Sequence, residues 1–200
     1  MKILSCLGTL VLLVPILNSC ALSPQTVALN PVIDARSYPI GRGRELALEV
    51  VDKRPIPHFG KRGGVYDTAL IIPRTDVAQA VRRALAERLR ASEFVITPPS
   101  SAAPLAMRVE IQRIDYMPGS DPIVNEVHTR AAIQVITRNK ERIITSQYQA
   151  SDVRQGVTRP SESENERILN KVVAQTLQLL LEDRAVWSLL AEQGKAPAPE

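Results

Sequence analysis

The stretch DKRPIPHFGKRGG, residues 52–64, has residue types and spacing suited to binding an anion. Four cations lie within ten residues, and glycines stand beside the second pair. Glycines let backbone N–H groups converge on an anion, and Lys or Arg side chains add charge-assisted hydrogen bonds to a phosphate or carboxylate. The candidate binding residues are Lys53, Arg54, Lys61, Arg62, Gly63 and Gly64. The alternative is a turn that requires positive φ angles, with its cations solvated.

Catalytic and metal-binding patterns are not found elsewhere in the sequence. The histidines, His58 and His128, are seventy residues apart and have no cysteine or carboxylate partners at ligand spacing, so we expect no metal site. No G-x-S-x-G elbow, Walker A motif or dinucleotide fingerprint occurs. The sequence therefore favours a protein without catalysis and without a cofactor. An enzyme whose catalytic pair is distant in sequence is the alternative.

The N-terminus has the pattern of a secretory signal peptide. A single positive charge at Lys2 precedes an apolar run of about fifteen residues, from Ile3 to Leu17. That run is shorter than the roughly twenty residues that a membrane-spanning helix needs, and small residues follow it, as they do before a cleavage site. We therefore predict that residues 1–19 are a signal peptide that is removed.

The end of this segment, Leu17-Asn18-Ser19-Cys20, resembles the lipobox of bacterial lipoproteins, with Leu at −3, a small residue at −1 and Cys at +1. In that class the thiol receives a diacylglyceryl group, the signal peptide is cut before the cysteine, and the new amine is usually acylated. The resemblance implies that Cys20 is the lipidation site and that two or three acyl chains anchor the protein stably. A disulfide with Cys6 is disfavoured because Cys6 lies in the discarded segment. An ordinary secreted protein is the alternative.

The residue after Cys20 and the charge of the chain bear on location and partners. Ala21 stands where aspartate would retain a lipoprotein in the inner membrane of enterobacteria, so the resemblance implies the outer membrane, with the domain in the periplasm. Loss of Lys2 leaves 24 basic and 21 acidic residues, a net charge of about +3. This charge is small and interspersed, and only 4% of the residues are aromatic, so we do not expect nucleic acid as a partner. The membrane and an envelope protein, glycan or lipid are the expected partners.

The rest of the chain divides into a tether, a domain and a tail. Residues 20–45 carry three prolines and the sequence GRGRE, and we expect a lipidated N-terminus and tether, in which TVALNPVI could add a short edge strand. The domain is expected over residues 46–190, beginning with the strand LALEVVD. Residues 191–200 are expected to form a disordered tail.

Two stretches have the periodicity of amphipathic helices. The first begins after Thr75 or Asp76, and the second begins after Ser161 or Ser163, each of which has a glutamate three residues later as in a capping box. The first apolar stripe is Val77, Val81, Ala84, Leu85 and Leu89. The second apolar stripe is Leu169, Val172, Val173, Leu177 and Leu180. A short final helix around Trp187 is expected to close the core.

Three longer stretches alternate in the manner of half-buried strands. The first begins at Leu105 and changes phase near Gln112–Arg113, which predicts a β-bulge. The second follows from Val127, and a tight hairpin at Asn139–Lys140 leads into the third. With the short strand EFVI and the helices, this pattern predicts an α+β fold, a two-layer sandwich of a mainly antiparallel sheet of about four strands with two amphipathic helices packed on one face.

The order of these pieces resembles the YajG-type family of uncharacterised bacterial lipoproteins. The resemblance is carried by the lipobox and by GRGRELALEVVDKRP, GKRGGVYDTALI, SEFVI, LAMRVEIQRIDY and ILNKVVAQTLQLLLEDRAVWSLL. It covers nearly the whole mature chain, implies no catalytic residues, and carries over only Cys20 as a functional position. The helix and strand order is also similar to that of the small envelope lipoprotein LptE. That likeness is one of architecture, which does not transfer function.

These observations favour a lipid-anchored outer-membrane lipoprotein, facing the periplasm, that acts as a non-catalytic binding or assembly accessory. An auxiliary lipoprotein of an envelope transport system and an enzyme acting on cell-wall material are the alternatives. An enzyme would have a deep pocket that gathers two or more titratable side chains. A binding module would instead expose a sheet edge or a basic patch near the loop of residues 52–64.

Overall fold

The computed structural model of the chain describes residues 23–63, 69–119 and 124–192. Cys20, Gly64 and the predicted tail beyond residue 192 lie outside the described residues. The strands are β1 (Gln25–Val27), β2 (Glu45–Asp52), β3 (Gly60–Lys61), β4 (Leu70–Pro73), β5 (Val95–Thr97), β6 (Leu105–Pro118), β7 (Asn125–Asn139) and β8 (Arg142–Gly156). The helices are α1 (Val77–Ala91), α2 (Glu162–Glu182) and α3 (Arg184–Ala191).

Strand β6 is the centre of the sheet. One of its edges pairs antiparallel with β7, and its other edge pairs in parallel first with β2 and then with β3. Beyond these, β7 pairs with β8 and β3 with β4 in antiparallel fashion, while β2 with β5 and β4 with β1 are parallel pairs. The predicted sheet of about four mainly antiparallel strands is therefore too small. The described residues form a mixed sheet of eight strands. The antiparallel meander β6–β7–β8 and the strands predicted at LALEVVD and EFVI, which are β2 and β5, are confirmed.

Both long helices begin where the sequence predicts. The Asp76 side chain accepts a hydrogen bond from the Gln79 N–H at 2.7 Å, and the Ser161 hydroxyl accepts one from the Glu164 N–H at 3.3 Å. These bonds satisfy N–H groups that have no partner within the helix. The second apolar stripe is fully buried, and in the first only Ala84 is half-buried. The predicted short final helix is confirmed as α3, so the described residues contain three helices.

The helices cover one face of the sheet, as predicted. Helix α1 packs over β2 and β5, α2 over β7, β8 and β1, and α3 over β7 and β8. Alternate residues of the central strands are buried in the cluster that contains the helix stripes, and they include Met107, Val109, Ile111, Ala131, Ile133 and Val135. The α+β class is therefore confirmed, with the core lying between the sheet and the helices.

The phase change in β6 is a β-bulge, as predicted. The register between β6 and β7 shifts between Ile111 and Arg113, so Ile111 and Ile114 both point into the core. A bulge adds one residue to one strand and increases its local twist. Here it lies where β2 leaves the edge of β6, with the Lys53 N–H donating to the Ile111 carbonyl at 2.9 Å. The bulge therefore positions the start of the basic loop.

The segment before β2 corrects the expected tether. Strand β1 pairs with β4, and the side-chain amide of Asn170 in α2 bonds to the backbone of Ala28 and Asn30 on either side of Leu29. The buried apolar side chains of this segment include Val27, Leu29, Ile33 and Ala35, each at most 6% exposed. The described fold thus begins at β1 rather than at residue 46. Prolines and polar residues obscured the alternation of these four apolar side chains.

The hairpin between β7 and β8 contains a strained residue. Lys140 has a φ of +53°, where a Cβ crowds the backbone by about 1–2 kcal/mol. We expect Lys140→Gly to raise the free energy of unfolding by about 0.5–1 kcal/mol. This gain is smaller than the relieved strain because glycine has more conformational freedom than lysine in the unfolded chain. Urea denaturation measures the change, and Glu141→Gly is the control because that position has no positive φ. Equal effects at both positions would contradict the prediction.

Candidate functional site

The loop of residues 53–59 leaves one edge of β6 and returns to the same edge. At its end the Tyr116 N–H donates to the Phe59 carbonyl at 2.7 Å. The Phe59 side chain is only 1% exposed and fixes the loop to the core. Gly60 follows immediately, with a φ of +153° and its backbone against the carbonyl of Tyr116. The loop is therefore held at both ends by the central strand.

Arg54, one of the predicted anion-binding residues, is enclosed by this loop. Its Nε lies 2.9 Å from Asp52 Oδ1 and its Nη2 lies 2.8 Å from Asp52 Oδ2, while the guanidinium sits 5.1 Å above the Phe59 ring. The Arg54 side chain is 4% exposed. Burial acts to raise the pKa of Asp52, but the hydrogen bonds and the charge of Arg54 outweigh it and hold that pKa below its ordinary value. Arg54 therefore shapes the loop, and its charge is already balanced.

A small cleft of about 90 Å³ lies at the end of the sheet where β6 ends and β7 begins. Its walls are Arg62, Gly63, Tyr116, Pro118, Gly119, Asn125, Glu126, Val127, Arg159 and Pro160. Arg159 is exposed and forms no hydrogen bond or ion pair with any of the described residues. The Glu126 carboxylate is engaged by Gln155 Nε2 at 2.8 Å and by His128. Two arginines thus line one cleft whose carboxylate has other partners.

Tyr116, one of the residues that line this cleft, has a neutral hydroxyl group. Burial raises the pKa of the Tyr116 hydroxyl to about 12, although the charges of Arg62 and Arg154 act in the opposite direction. The hydroxyl is therefore protonated at neutral pH and is not activated as a nucleophile. Arg62 itself donates from Nη1 to the Ser23 carbonyl at 3.0 Å, which joins the cleft to the start of the described chain.

The structure brings only some of the predicted anion-binding residues together. Lys53 and Arg54 lie at the start of the loop, Lys61 ends β3, and Arg62 and Gly63 reach the cleft, where Gly63 has a φ of +76° beside Pro118. Sequence reasoning missed Arg159, which precedes α2 and lies far along the chain from Arg62. The only local signal was a cation in the loop before that helix, and such cations are usually solvated.

The outer face of the sheet carries an open groove of about 470 Å³ near residues 99–101. Its charges are already paired. Arg108 bonds Glu49 at 2.8 Å and Glu110 at 2.9 Å, and Arg138 Nη2 donates to the Ser101 carbonyl at 3.1 Å. In the parts of the chain that the structure describes, no three His, Cys, Asp or Glu residues are grouped to hold a metal ion. The groove therefore does not gather the free titratable groups that catalysis requires.

Strand β8 is the long open edge of the sheet. It pairs with β7 on one side, and no strand within the described ranges pairs with its other side. Alternate residues turn toward α2, where the Tyr148 hydroxyl donates to Asp183 at 2.6 Å and Lys171 bonds Asp152 at 2.9 Å. The stretch from Ile143 to Ser151 contains no charged residue and no proline. Natural edge strands often carry charged residues or proline, which prevent pairing with another strand. Because this stretch of β8 has neither, a further strand can pair with it.

Solved structures of bacterial proteins are similar to this chain at low sequence identity. Protein XCC0632 from Xanthomonas campestris is 8% identical, with a TM-score of 0.52 over 84% of this chain and 95% of that one. The minor lipoprotein from Acinetobacter baumannii is 10% identical, with a TM-score of 0.42 over 69% of this chain and 89% of that one. Rare lipoprotein B from Shewanella oneidensis is 10% identical, with a TM-score of 0.34 over 73% and 88%. No curated protein matches the chain.

Residues 31–190 match the model of a family described as an uncharacterized lipoprotein, and the chain belongs to that family. The predicted membership of an uncharacterised lipoprotein family is therefore confirmed, while the YajG-type assignment stays a prediction. The description of this family names no catalytic function. Within the described residues, no helix has both the length and the apolar character needed to span a bilayer.

Proposed function

We propose that this protein is a lipid-anchored outer-membrane lipoprotein whose domain lies in the periplasm and acts as a non-catalytic binding or assembly accessory. Cys20 carries the lipid after removal of residues 1–19, and Ala21 directs the protein to the outer membrane. The family match supports the lipoprotein class. The observation that carries the binding role is the open edge of β8.

An extended segment of a partner protein can pair with this edge. Main-chain hydrogen bonds then supply affinity, and the side chains along the strand supply specificity. The fifteen residues of β8 provide about 45 Å of edge at roughly 3.3 Å per residue. Helix α2 holds β8 in place through Lys171 with Asp152 and through Glu164 with Arg154. Because β8 is already ordered, β8 itself loses little conformational entropy when a partner binds.

Charged side chains placed along the edge test this role. The exposed residues Gln147 and Gln149 are changed to lysine, which blocks strand pairing by the means that natural edge strands use. A photo-crosslinking residue at the exposed position Thr145 reports contacts in living cells. We expect one crosslinked envelope protein in the parent chain and at least a tenfold loss of that product in the double lysine variant.

The control is Gln79→Lys, which makes the same chemical change on the exposed side of α1. It should leave the crosslinked product at the parental level. Crosslinks that join only two copies of this chain would replace the accessory role by self-association. A product that survives the double lysine variant, or no product from position 145, would exclude β8 as the binding edge.

A further inference from the structure

The start of the described chain lies beside the cleft lined by Arg62 and Arg159. The Ser23 carbonyl accepts the hydrogen bond from Arg62 Nη1 at 3.0 Å. Cys20 is three residues before Ser23, and three residues of fully extended chain span at most about 11 Å. An acyl group on Cys20 would therefore enter the membrane close to this end of the domain.

We infer that the Arg62–Arg159 cleft binds the phosphate headgroup of a lipid in the leaflet that holds the anchor, so that this end of the domain rests on the membrane surface. The inference builds on the proposed lipidation of Cys20. It adds a binding site, a ligand class and an orientation to that proposal.

The chemistry of the cleft fits a phosphate. Guanidinium groups bind phosphate oxygens through charge-assisted and often bidentate hydrogen bonds, and Arg159 has no partner among the described residues. Among the described residues that line the cleft, the one carboxylate is that of Glu126, which is already bonded to Gln155 and His128. The Asn125 amide donates to the Val157 carbonyl at 2.8 Å and holds the rim. A phosphate would thus meet two cations and no free carboxylate from the described walls.

The rim of the cleft also presents an apolar side chain to the bilayer. Val157 follows β8 directly and is 91% exposed. An exposed apolar side chain beside basic residues is typical of surfaces that enter the headgroup region, where apolar contact adds to electrostatic attraction. Position 157 therefore reports directly on contact with the membrane.

This orientation sends the opposite end of the sheet away from the lipid. Strands β7 and β8 run side by side over fifteen residues each, so their hairpin lies about 45 Å from the cleft. The uncharged edge from Ile143 to Ser151 then extends into the periplasm. Docking at the cleft would leave that edge accessible to a partner strand.

Fluorescence quenching in vesicles tests the inference on the full lipidated chain. Because acylation consumes Cys20 and cleavage removes Cys6, Val157→Cys or Glu141→Cys provides a single thiol for a fluorescent label. The labelled proteins are placed in phosphatidylcholine vesicles, with and without phosphatidylglycerol, that contain a lipid with a nitroxide on its headgroup. We expect strong quenching at position 157 with phosphatidylglycerol and little quenching at position 141, in the distant hairpin.

Neutral variants identify the residues responsible. Arg159→Gln should lower the ratio of docked to undocked protein about fivefold, since a cation near an anionic surface contributes about 1 kcal/mol. Arg62→Gln should act similarly, but it also removes the bond to Ser23, so Arg159→Gln is the cleaner variant. Arg42→Gln, in an exposed turn just before β2, is the control and should change nothing.

Each alternative result has a definite meaning. Equal quenching at positions 157 and 141, or quenching at 157 that Arg159→Gln does not reduce, overturns headgroup binding. A label at 157 that responds to inorganic phosphate without vesicles but is not quenched in them assigns the cleft to free phosphate instead. The intact mass of the purified chain separates the two proposals. Absence of acyl mass refutes lipidation and this inference together, whereas acyl mass without quenching refutes headgroup binding alone.

Discussion

Replacing Cys20 by alanine is expected to abolish acylation of this protein and, when an ordinary cleavable leader replaces residues 1–19, to release it from washed membranes. The loss should be nearly complete, because the proposed acyl chains supply the attachment to the membrane. Each buried methylene of an acyl chain contributes about 0.8 kcal/mol, so two or three chains give stable attachment and their removal should shift the protein to the soluble fraction. Incorporation of labelled palmitate and fractionation of washed membranes measure the two effects.

The other cysteine is the matched control for this experiment. Cys6→Ala makes the same change within the predicted signal peptide and should leave palmitate incorporation and membrane retention unaltered. An uncut leader would hold the Cys20→Ala chain in the membrane, so fractionation uses a version in which an ordinary cleavable leader replaces residues 1–19. Retention of that version in washed membranes would falsify the lipid anchor.

Gly60→Ala is expected to cause a large loss of stability in the folded domain. A Cβ at this position would lie 1.9 Å from the Tyr116 carbonyl oxygen, and the φ of +153° is one that side chains rarely adopt. The backbone of β6 must then move away from β3, which disrupts the return of the basic loop to the sheet. Overpacking and backbone strain together suggest a loss of about 3 kcal/mol or more in the free energy of unfolding, measured by urea denaturation.

Gly43→Ala separates the clash from the strain. Gly43 also has a positive φ, +75°, but a Cβ added there meets no atom within 4 Å. Only the backbone cost applies, so we expect a loss of about 1 kcal/mol. If Gly60→Ala destabilises the domain no more than Gly43→Ala does, the close approach of β3 to β6 is not a determinant of stability.

The elements that sequence reasoning predicted in most detail are those with long local patterns. Helix α2 has a capping serine and five apolar residues in one stripe, and β6 shows its bulge as a change in alternation. The short strands β1, β3 and β5 have two or three residues each, too few for any period to appear. Of these, β5 was predicted within EFVI and β1 only as a possible edge strand in TVALNPVI, while β3 was not predicted. These short strands form by hydrogen bonding to the backbone of other strands, which are distant in sequence. The parallel pairs were missed for that reason.

The candidate site divides in the same way. The basic loop was visible because cations and glycines cluster along the chain, but the structure shows that Arg54 is balanced by Asp52 and packed on Phe59. In the structure, Arg62 and Arg159 line the same cleft, and no local sequence motif had identified Arg159. The open edge was predicted as a kind of surface, and pairing in the sheet decided that it is β8.

By itself, the sequence determined the two long helices, their caps, the alternation of the meander and its bulge, since each depends on side chains within a few residues of one another. It also carried the lipobox pattern on which the predicted anchor rests. Only the tertiary structure decided that residues 25–35 lie in the fold, that the sheet is mixed, and that Arg62, Arg159 and Ser23 meet at one end of it. These features depend on which distant segments pack together, and the free energy of that packing comes from the whole core rather than from a local pattern.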